Sequence, residues 1–369
     1  MQTLTLQTRK TDITQTQWHS AAPAPLADGQ ARMRIDQFSF TANNATYAAF
    51  GDAMKYWNFF PQADAAWGCV PVWGFAEVTE SRCEGVAVGT RYYGYYPFAT
   101  ELIVQPTRVN PATFVDGAVH RAELAAVYNQ YLNVALDPGY RAEYEAHIAL
   151  LRPLFITSFL IDDFLADSKF FDASALVLSS ASSKTAYGTA YALAQRAKAN
   201  RPAIVGLTSS VNLAFTQRLG LYDHVLTYDQ INTLDAAAPT VYVDFSGSVT
   251  VRQAVHTQCK GLTFSSAIGG THWQDRKNSA AGTDLPGPRP TLFFAPSQVK
   301  KRLADWGPAQ FQAQIGRAMQ GFIQAVNHPG APWMTVVKHH GQAVAVAVYN
   351  DVISGKASAE LGMMVALAD

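Results

Sequence analysis

Ser180-Ala181-Ser182-Ser183-Lys184-Thr185 places small and hydroxyl-bearing side chains around one ammonium group in an unbroken run. Hydroxyls donate hydrogen bonds and a lysine supplies charge, so the chemistry open to this run is anion binding. Four residues before it, Ala175-Leu176-Val177-Leu178, are apolar, and helical spacing follows over Ala186 to Ala199. A buried strand, a tight turn and a helix start would set the run at a helix N-terminus. There the first N–H groups lack intrahelical partners and the dipole favours negative charge, so a phosphate fits. Ser and Thr also cap helices without any ligand, and that reading stands beside the first. The leading glycine and spacing of a Walker A loop are missing. No Gly-x-Ser-x-Gly elbow makes one of the serines a hydrolase nucleophile.

The elements that must position this run form an alternating pattern from 175 to about 296. Ala175–Leu178, Ala203–Leu207, His224–Leu226, Thr240–Phe245, Gly261–Ser266 and Thr291–Ala295 read as short buried strands. Ala186–Ala199, Val211–Leu219 and Val249–Gln258 read as helices between them. Strands alternating with helices imply βαβ units and a doubly wound parallel sheet. Residues 1 to about 110 read as β structure, with strands at Gln30–Phe40, Val70–Thr79 and Val86–Tyr96 and glycine turns, which suits a small barrel. Helical spacing then predicts Val119–Val134 and Arg141–Leu151, broken by Asp137-Pro138-Gly139, with a further helical face at Leu160–Leu165. Thr271 to Pro290 is a polar Gly/Pro loop. The tail reads as helix Gln298–Val326, a strand near Met334–Lys338, helix Ala343–Ser354 and a strand near Leu361–Leu367.

Length and composition bound what such a chain can be. At 369 residues, two domains are expected, each with its own core. Lys plus Arg and Asp plus Glu both number 28, and the zero net charge argues against a general nucleic-acid binder. Cys69, Cys83 and Cys259 have no CxxC spacing and suit a reducing compartment. Met1 to Lys10 lacks an apolar signal core, and Leu154 to Leu165 is too short and too polar to span a bilayer. A cytoplasmic protein is expected, with no membrane partner.

Four motifs in order carry a family resemblance: Asn44-Ala45-Thr46-Tyr47, Pro71-Val72-Trp73-Gly74-Phe75-Ala76-Glu77-Val78, Gly89-Thr90-Arg91-Tyr92 and Gly355-Lys356. Together with the alternating segment they make the chain resemble a medium-chain dehydrogenase/reductase, specifically the zinc-free quinone and enoyl reductase branch. The resemblance implies an α/β protein with a GroES-like β-barrel domain (1–150 and 297–369, with a helical insertion near 115–150) and a Rossmann domain with a doubly wound parallel sheet (151–296). Zinc-dependent relatives carry a Gly-His-Glu element, whereas Phe75 and Ala76 follow Gly74 here. A catalytic zinc needs about three ligands, so no metal is expected. The second departure lies in the dinucleotide turn, where serines replace the glycines that admit pyrophosphate.

The cofactor implied is NADP(H). Ser180, Ser182, Ser183, Lys184 and Thr185 would hold the pyrophosphate. An NAD-type sheet ends its second strand in a carboxylate, but Gly206 to Asn212 contains none. Thr208, Ser209, Asn212 and Tyr228 would instead meet the 2′-phosphate, with Arg218 or Lys184 compensating for Asn212 standing where relatives have lysine. Thr157, Ser246, Gly247, Ser266 and Ile268 match positions near the nicotinamide end. Each of these also has a bland reading as a cap, a turn or a packed side chain. Tyr47 is the first proton-donor candidate, followed by Tyr56 and His272. Trp57, Phe59, Phe60 and Trp73 would form either an apolar substrate wall or plain barrel core. The function implied is hydride transfer from NADPH to a conjugated alkene or quinone in the interdomain cleft, by a homodimer paired through the last sheet strand. A non-catalytic NADP(H) sensor or accessory protein is the alternative, and a zinc alcohol dehydrogenase is disfavoured by the missing ligands.

Overall fold

The computed structural model describes residues 2–268 and 285–367. They fall into two compact units, one of residues 2–150 with 335–367 and one of Leu151–Met334.

In the second unit, six parallel strands form one sheet: Ala175–Leu178, Ala203–Thr208, His224–Thr227, Thr240–Asp244, Leu262–Ala267 and Thr291–Leu292. Their spatial order is third, second, first, fourth, fifth, sixth. That is the Rossmann order, and it reverses between the first and fourth strands, where such sheets open a crevice at their carboxyl ends. Val177, Val205, Leu207 and Tyr242 from the sheet pack with Val251 and Val255 of helix Val249–Gln258.

Residues 297–334 were assigned to the barrel from sequence but pack in this second unit. The expected single helix is two, Ala295–Trp306 and Pro308–Val326, divided at Gly307 with its φ of 77°. Phe311 and Ile315 close on Leu160, and Phe322 stacks on Phe155 with ring centroids 4.3 Å apart. These contacts outweigh the chain's proximity to the barrel strands that follow.

The first unit holds a nine-stranded mixed sheet and a three-stranded antiparallel one. A helix the periodicity missed, Ala42–Ala49, starts at Thr41 with a capping box to Asn44. The helix expected over Val119–Val134 is not formed. The segment makes short 3₁₀ turns at Val119–Arg121 and Ala126–Tyr128, then strand Gln130–Asn133 paired with two neighbours. Sheet pairing overrides helical spacing there.

Glu145–Leu151 and Leu160–Leu165 are instead parts of one helix, Glu145–Asp167, which follows a 3₁₀ turn at Ala142–Tyr144 and continues through Pro153. A proline inside a helix leaves the carbonyl four residues earlier without its N–H. That carbonyl, Ala149, accepts a hydrogen bond from Ser39 Oγ at 2.9 Å. A side chain from a strand thus replaces the missing donor.

After this helix, Lys169, Phe170, Phe171 and Asp172 all have φ between 49° and 56°. Left-handed backbone costs a non-glycine residue roughly 1–2 kcal/mol. The turn is held by Phe171, which stacks on Phe264 with centroids 4.0 Å apart. Lys169→Gly, at an exposed position of this turn, is therefore expected to stabilise the protein by about 1 kcal/mol in urea unfolding.

Candidate functional site

The first strand ends at Leu178, and the turn beyond it is built from paired backbone groups. Ala181 N–H donates to the Leu207 carbonyl at 2.9 Å, and Ser183 N–H to the Ser180 carbonyl at 2.8 Å. Ser180 adopts φ 51°, the left-handed geometry a glycine takes without strain. Its N–H donates to Tyr228 Oη at 3.1 Å. The phenol that the resemblance assigned to a 2′-phosphate thus anchors the first turn, and burial pushes it up to about 12. It keeps its own proton to donate.

Beside Ser180, Ala181 lies against Gly206. A Cβ on Gly206 would meet Ala181 Cβ at 3.0 Å and the Tyr222 ring at 2.8 Å. The bulk spared at Gly206 is the space Ala181 occupies, so the turn packs closely on the adjoining strand. Tyr222 Oη closes this corner by donating to the Ala181 carbonyl at 2.7 Å.

Helix Lys184–Ala194 follows, with Ser183 at its N-cap and no side-chain hydrogen bond spent on capping. The cap reading of the serine run therefore lacks the contact that would support it. Ser182 is buried; Ser183, Lys184 and Thr185 are half-buried. Desolvation lowers the Lys184 ammonium to about 8. Ser158 Oγ donates to the Thr185 carbonyl at 2.8 Å and the Leu154 carbonyl at 3.1 Å, tying the helix start to helix Glu145–Asp167. Gly188 permits this approach, since a Cβ there would lie 2.7 Å from Ser158 Oγ. Sequence reasoning chose Thr157 instead; its hydroxyl donates to the Pro153 carbonyl at 3.4 Å. The signal for Ser158 was a hydroxyl at an otherwise apolar face of the helix.

At the end of the second strand, Thr208 is 1% exposed and its Oγ1 has no hydrogen-bond partner among the described residues. A buried, unpartnered hydroxyl costs free energy unless something meets it. Beyond it, Asn212 Nδ2 donates to Ser209 Oγ at 3.2 Å, so the two predicted residues are held together. No carboxylate stands in this turn.

The fourth strand ends in a network that the sequence did not reveal. Asp244 Oδ1 accepts from Ser179 Oγ (2.9 Å), Ser246 Oγ (2.8 Å), Ser246 N–H (3.1 Å) and Gly247 N–H (3.0 Å). Oδ2 accepts from Arg252 Nε and Nη2 at 2.9 and 2.7 Å. Ser246 and Gly247, expected near the nicotinamide, turn these donors inward onto Asp244. Their role here is to brace the first and fourth strand ends. Ser266 is buried, Ile268 N–H donates to the Asp244 carbonyl at 2.9 Å, and His272 lies outside the described residues.

In the first unit, Tyr47 and Tyr56 come together with ring centroids 4.6 Å apart. Tyr47 is 4% exposed and accepts from Trp73 Nε1 at 3.1 Å. Burial raises both phenols above their ordinary value, Tyr47 further. Trp57, Phe59 and Phe60 are buried, as core, while Trp73 is half-buried. Tyr128, which the sequence reading did not select, joins them from the segment expected to be helical. Its Oη is 3.4 Å from that of Tyr56. Among the described residues no group of three or more His, Cys, Asp or Glu is placed to hold a metal ion, and no helix is long and apolar enough to cross a membrane.

Comparison with solved structures places the architecture. CurA from Vibrio vulnificus in complex with NADPH is similar over 96% of this chain and 94% of that one, with 11% identity and a TM-score of 0.58. The CurK enoyl reductase covers both chains fully at 13% identity and a TM-score of 0.54. The yhdH oxidoreductase from Salmonella enterica in complex with NADP does so at 12% and 0.52. At such identities the likeness is one of fold, and it is the two-domain fold of the medium-chain dehydrogenase/reductases. No curated protein matches the chain by sequence. Residues 38–358 match the family described as "Protein of unknown function (DUF2855)", and the chain belongs to it.

Proposed function

We propose that this protein is an NADPH-dependent reductase that passes hydride to a conjugated C=C or quinone substrate without a metal. The observation that carries the cofactor is the pair of turns at the first and second strand ends. One offers an uncapped helix N-terminus with Lys184; the other offers Thr208 Oγ1 buried without a partner among the described residues and no carboxylate. Neutral donors without a carboxylate suit a 2′-phosphate rather than bare ribose hydroxyls. CurA and yhdH, which share the fold, were solved with NADPH and NADP.

In this reading the Lys184–Ala194 helix start and Lys184 hold the pyrophosphate, and Ser209, Asn212 and Thr208 face the adenosine phosphate. Bound NADPH supplies the hydride. A proton source from the chain's own residues is also required, and Tyr47 and Tyr56 are the candidates for it. The test is NADPH oxidation across a panel of enones and quinones. Turnover on either class supports the proposal. Tight NADPH binding without turnover on any of them would assign a nucleotide sensor instead.

A homodimer paired through the last sheet strand belongs to the same proposal. Thr291–Leu292 is an edge of the parallel sheet, and Leu292 and Phe294 are 61% and 53% exposed. An exposed apolar edge invites a second strand. Leu292→Arg is expected to shift the protein from dimer to monomer in light scattering at micromolar concentration. A wild-type monomer would refute the pairing.

A further inference from the structure

Two tyrosines from outside the serine run close on its first two residues. The third strand of the parallel sheet, His224–Thr227, has Tyr222 before it and Tyr228 after it, and the second strand separates it from the first. Across that gap Tyr228 Oη accepts the Ser180 N–H at 3.1 Å, and the Ser180 hydroxyl hydrogen-bonds the same oxygen. Tyr222 Oη donates to the Ala181 carbonyl at 2.7 Å. The Ala181 and Ser183 N–H groups are met by backbone carbonyls, whereas the Ser180 N–H is met by a side chain. Ser180 is also the residue whose geometry needs holding. It has φ 51°, a region that a residue with a Cβ leaves unless something fixes it there.

Resting on the reading of this turn as the pyrophosphate site, we propose that Tyr228 is a positioning residue for the nucleotide, clamping Ser180 in the left-handed geometry that a glycine would adopt unaided. Its oxygen takes up both donors of Ser180, so Ser180 gives the pyrophosphate neither. The phosphates are met by the helix start beyond it, Lys184 included. Tyr222 steadies the same turn from its carbonyl side. This role differs measurably from that of a residue touching the 2′-phosphate. NADPH and NADH share the pyrophosphate, so a fault in the turn weakens both by one factor, whereas a fault at the 2′-phosphate weakens NADPH alone. A released turn spends only part of its time in the binding geometry, and the apparent Kd rises by the reciprocal of that fraction.

Tyr228→Phe keeps the ring and removes the oxygen. Fluorescence titration should then show the Kd values of NADPH and NADH both raised about fivefold to thirtyfold, with their ratio unchanged. Ser180→Gly alone should leave the NADPH Kd within about threefold of wild type, because glycine populates the left-handed region about as readily as the right-handed one. Added to Tyr228→Phe, it should bring the NADPH Kd back to within about threefold of Ser180→Gly alone. A phenol that served only general stability would not be replaced by removing a side chain from the turn. If Tyr228→Phe fails to fold, the Ser180→Gly/Tyr228→Phe pair carries the test: recovered folding and NADPH binding support the clamp, and their absence overturns it. A raised NADPH Kd with NADH unchanged would put Tyr228 on the 2′-phosphate and overturn the clamp. So would a wild-type Kd in Tyr228→Phe, or a loss that glycine does not restore. A wild type that binds neither nucleotide overturns the reading of the turn itself, and the clamp with it.

Discussion

Replacing Asp244 with alanine is expected to cost about 3–5 kcal/mol of folding stability. Asp244 is 1% exposed and receives six hydrogen bonds, four on Oδ1 and two from Arg252 on Oδ2. Alanine leaves the Arg252 guanidinium without its counter-charge, and Ser179, Ser246 and Gly247 with donors aimed into a buried space. Each unsatisfied buried donor adds about 1–3 kcal/mol before relaxation. Asp244→Asn keeps the shape and an acceptor but loses the charge, and should fall between wild type and alanine. Thermal unfolding checks this, at about 2–4 °C per kcal/mol for a unit of this size. A loss under 1 kcal/mol for Asp244→Ala would show that the strand ends do not depend on this network. NADPH binding should weaken in parallel, because the carboxylate braces the first and fourth strand ends on either side of the crevice.

The second large effect separates binding from stability. Lys184→Met is expected to raise the NADPH Kd about tenfold to hundredfold, the worth of roughly 1.5–3 kcal/mol for a hydrogen bond to a charged group. Its Tm, measured alongside, separates a loss of binding from a loss of folding stability. The pH dependence has a definite sign. With the folded lysine titrating at about 8 against 10.5 for its ordinary value, the unfolded chain binds more protons between those limits, so this group makes stability rise with pH across them. Below about 8 the penalty is present in full. NADPH affinity runs the other way: it is steady below about 8 and declines above it as the ammonium is lost. Isothermal titration at several pH values measures both the decline and the proton taken up on binding. An affinity independent of pH from 7 to 10 would remove Lys184 from the phosphate site.

Much of the second unit was legible because its strands are apolar runs of four to six residues between hydroxyl- and glycine-rich turns, and the helices between them keep their period. The serine run at Ser180 was found for the same reason: it interrupts strong patterns on both sides. What could not be read was cooperation between distant residues. Asp244 reads in sequence as the end of an apolar strand, and only the fold shows Ser179 and Arg252 converging on it. Helical spacing over Val119–Val134 was real but weaker than pairing of Gln130–Asn133 with its neighbouring strands, and the error concealed Tyr128. Residues 297–334 were misplaced because two amphipathic helices carry no mark of which core they will join. Tyr47 and Tyr56, both named through the resemblance, come together in the fold, and burial, invisible in sequence, closes off Tyr47 more than Tyr56.

The central claim is an NADPH site made by the turns at Ser180–Thr185 and Thr208–Asn212, and fluorescence titration of the wild-type protein with NADPH and NADH in parallel tests it most directly. The account predicts NADPH bound at least tenfold more tightly than NADH, as neutral donors without a carboxylate at the second strand end require. NADH bound equally well or better, or neither nucleotide bound at all, would contradict it.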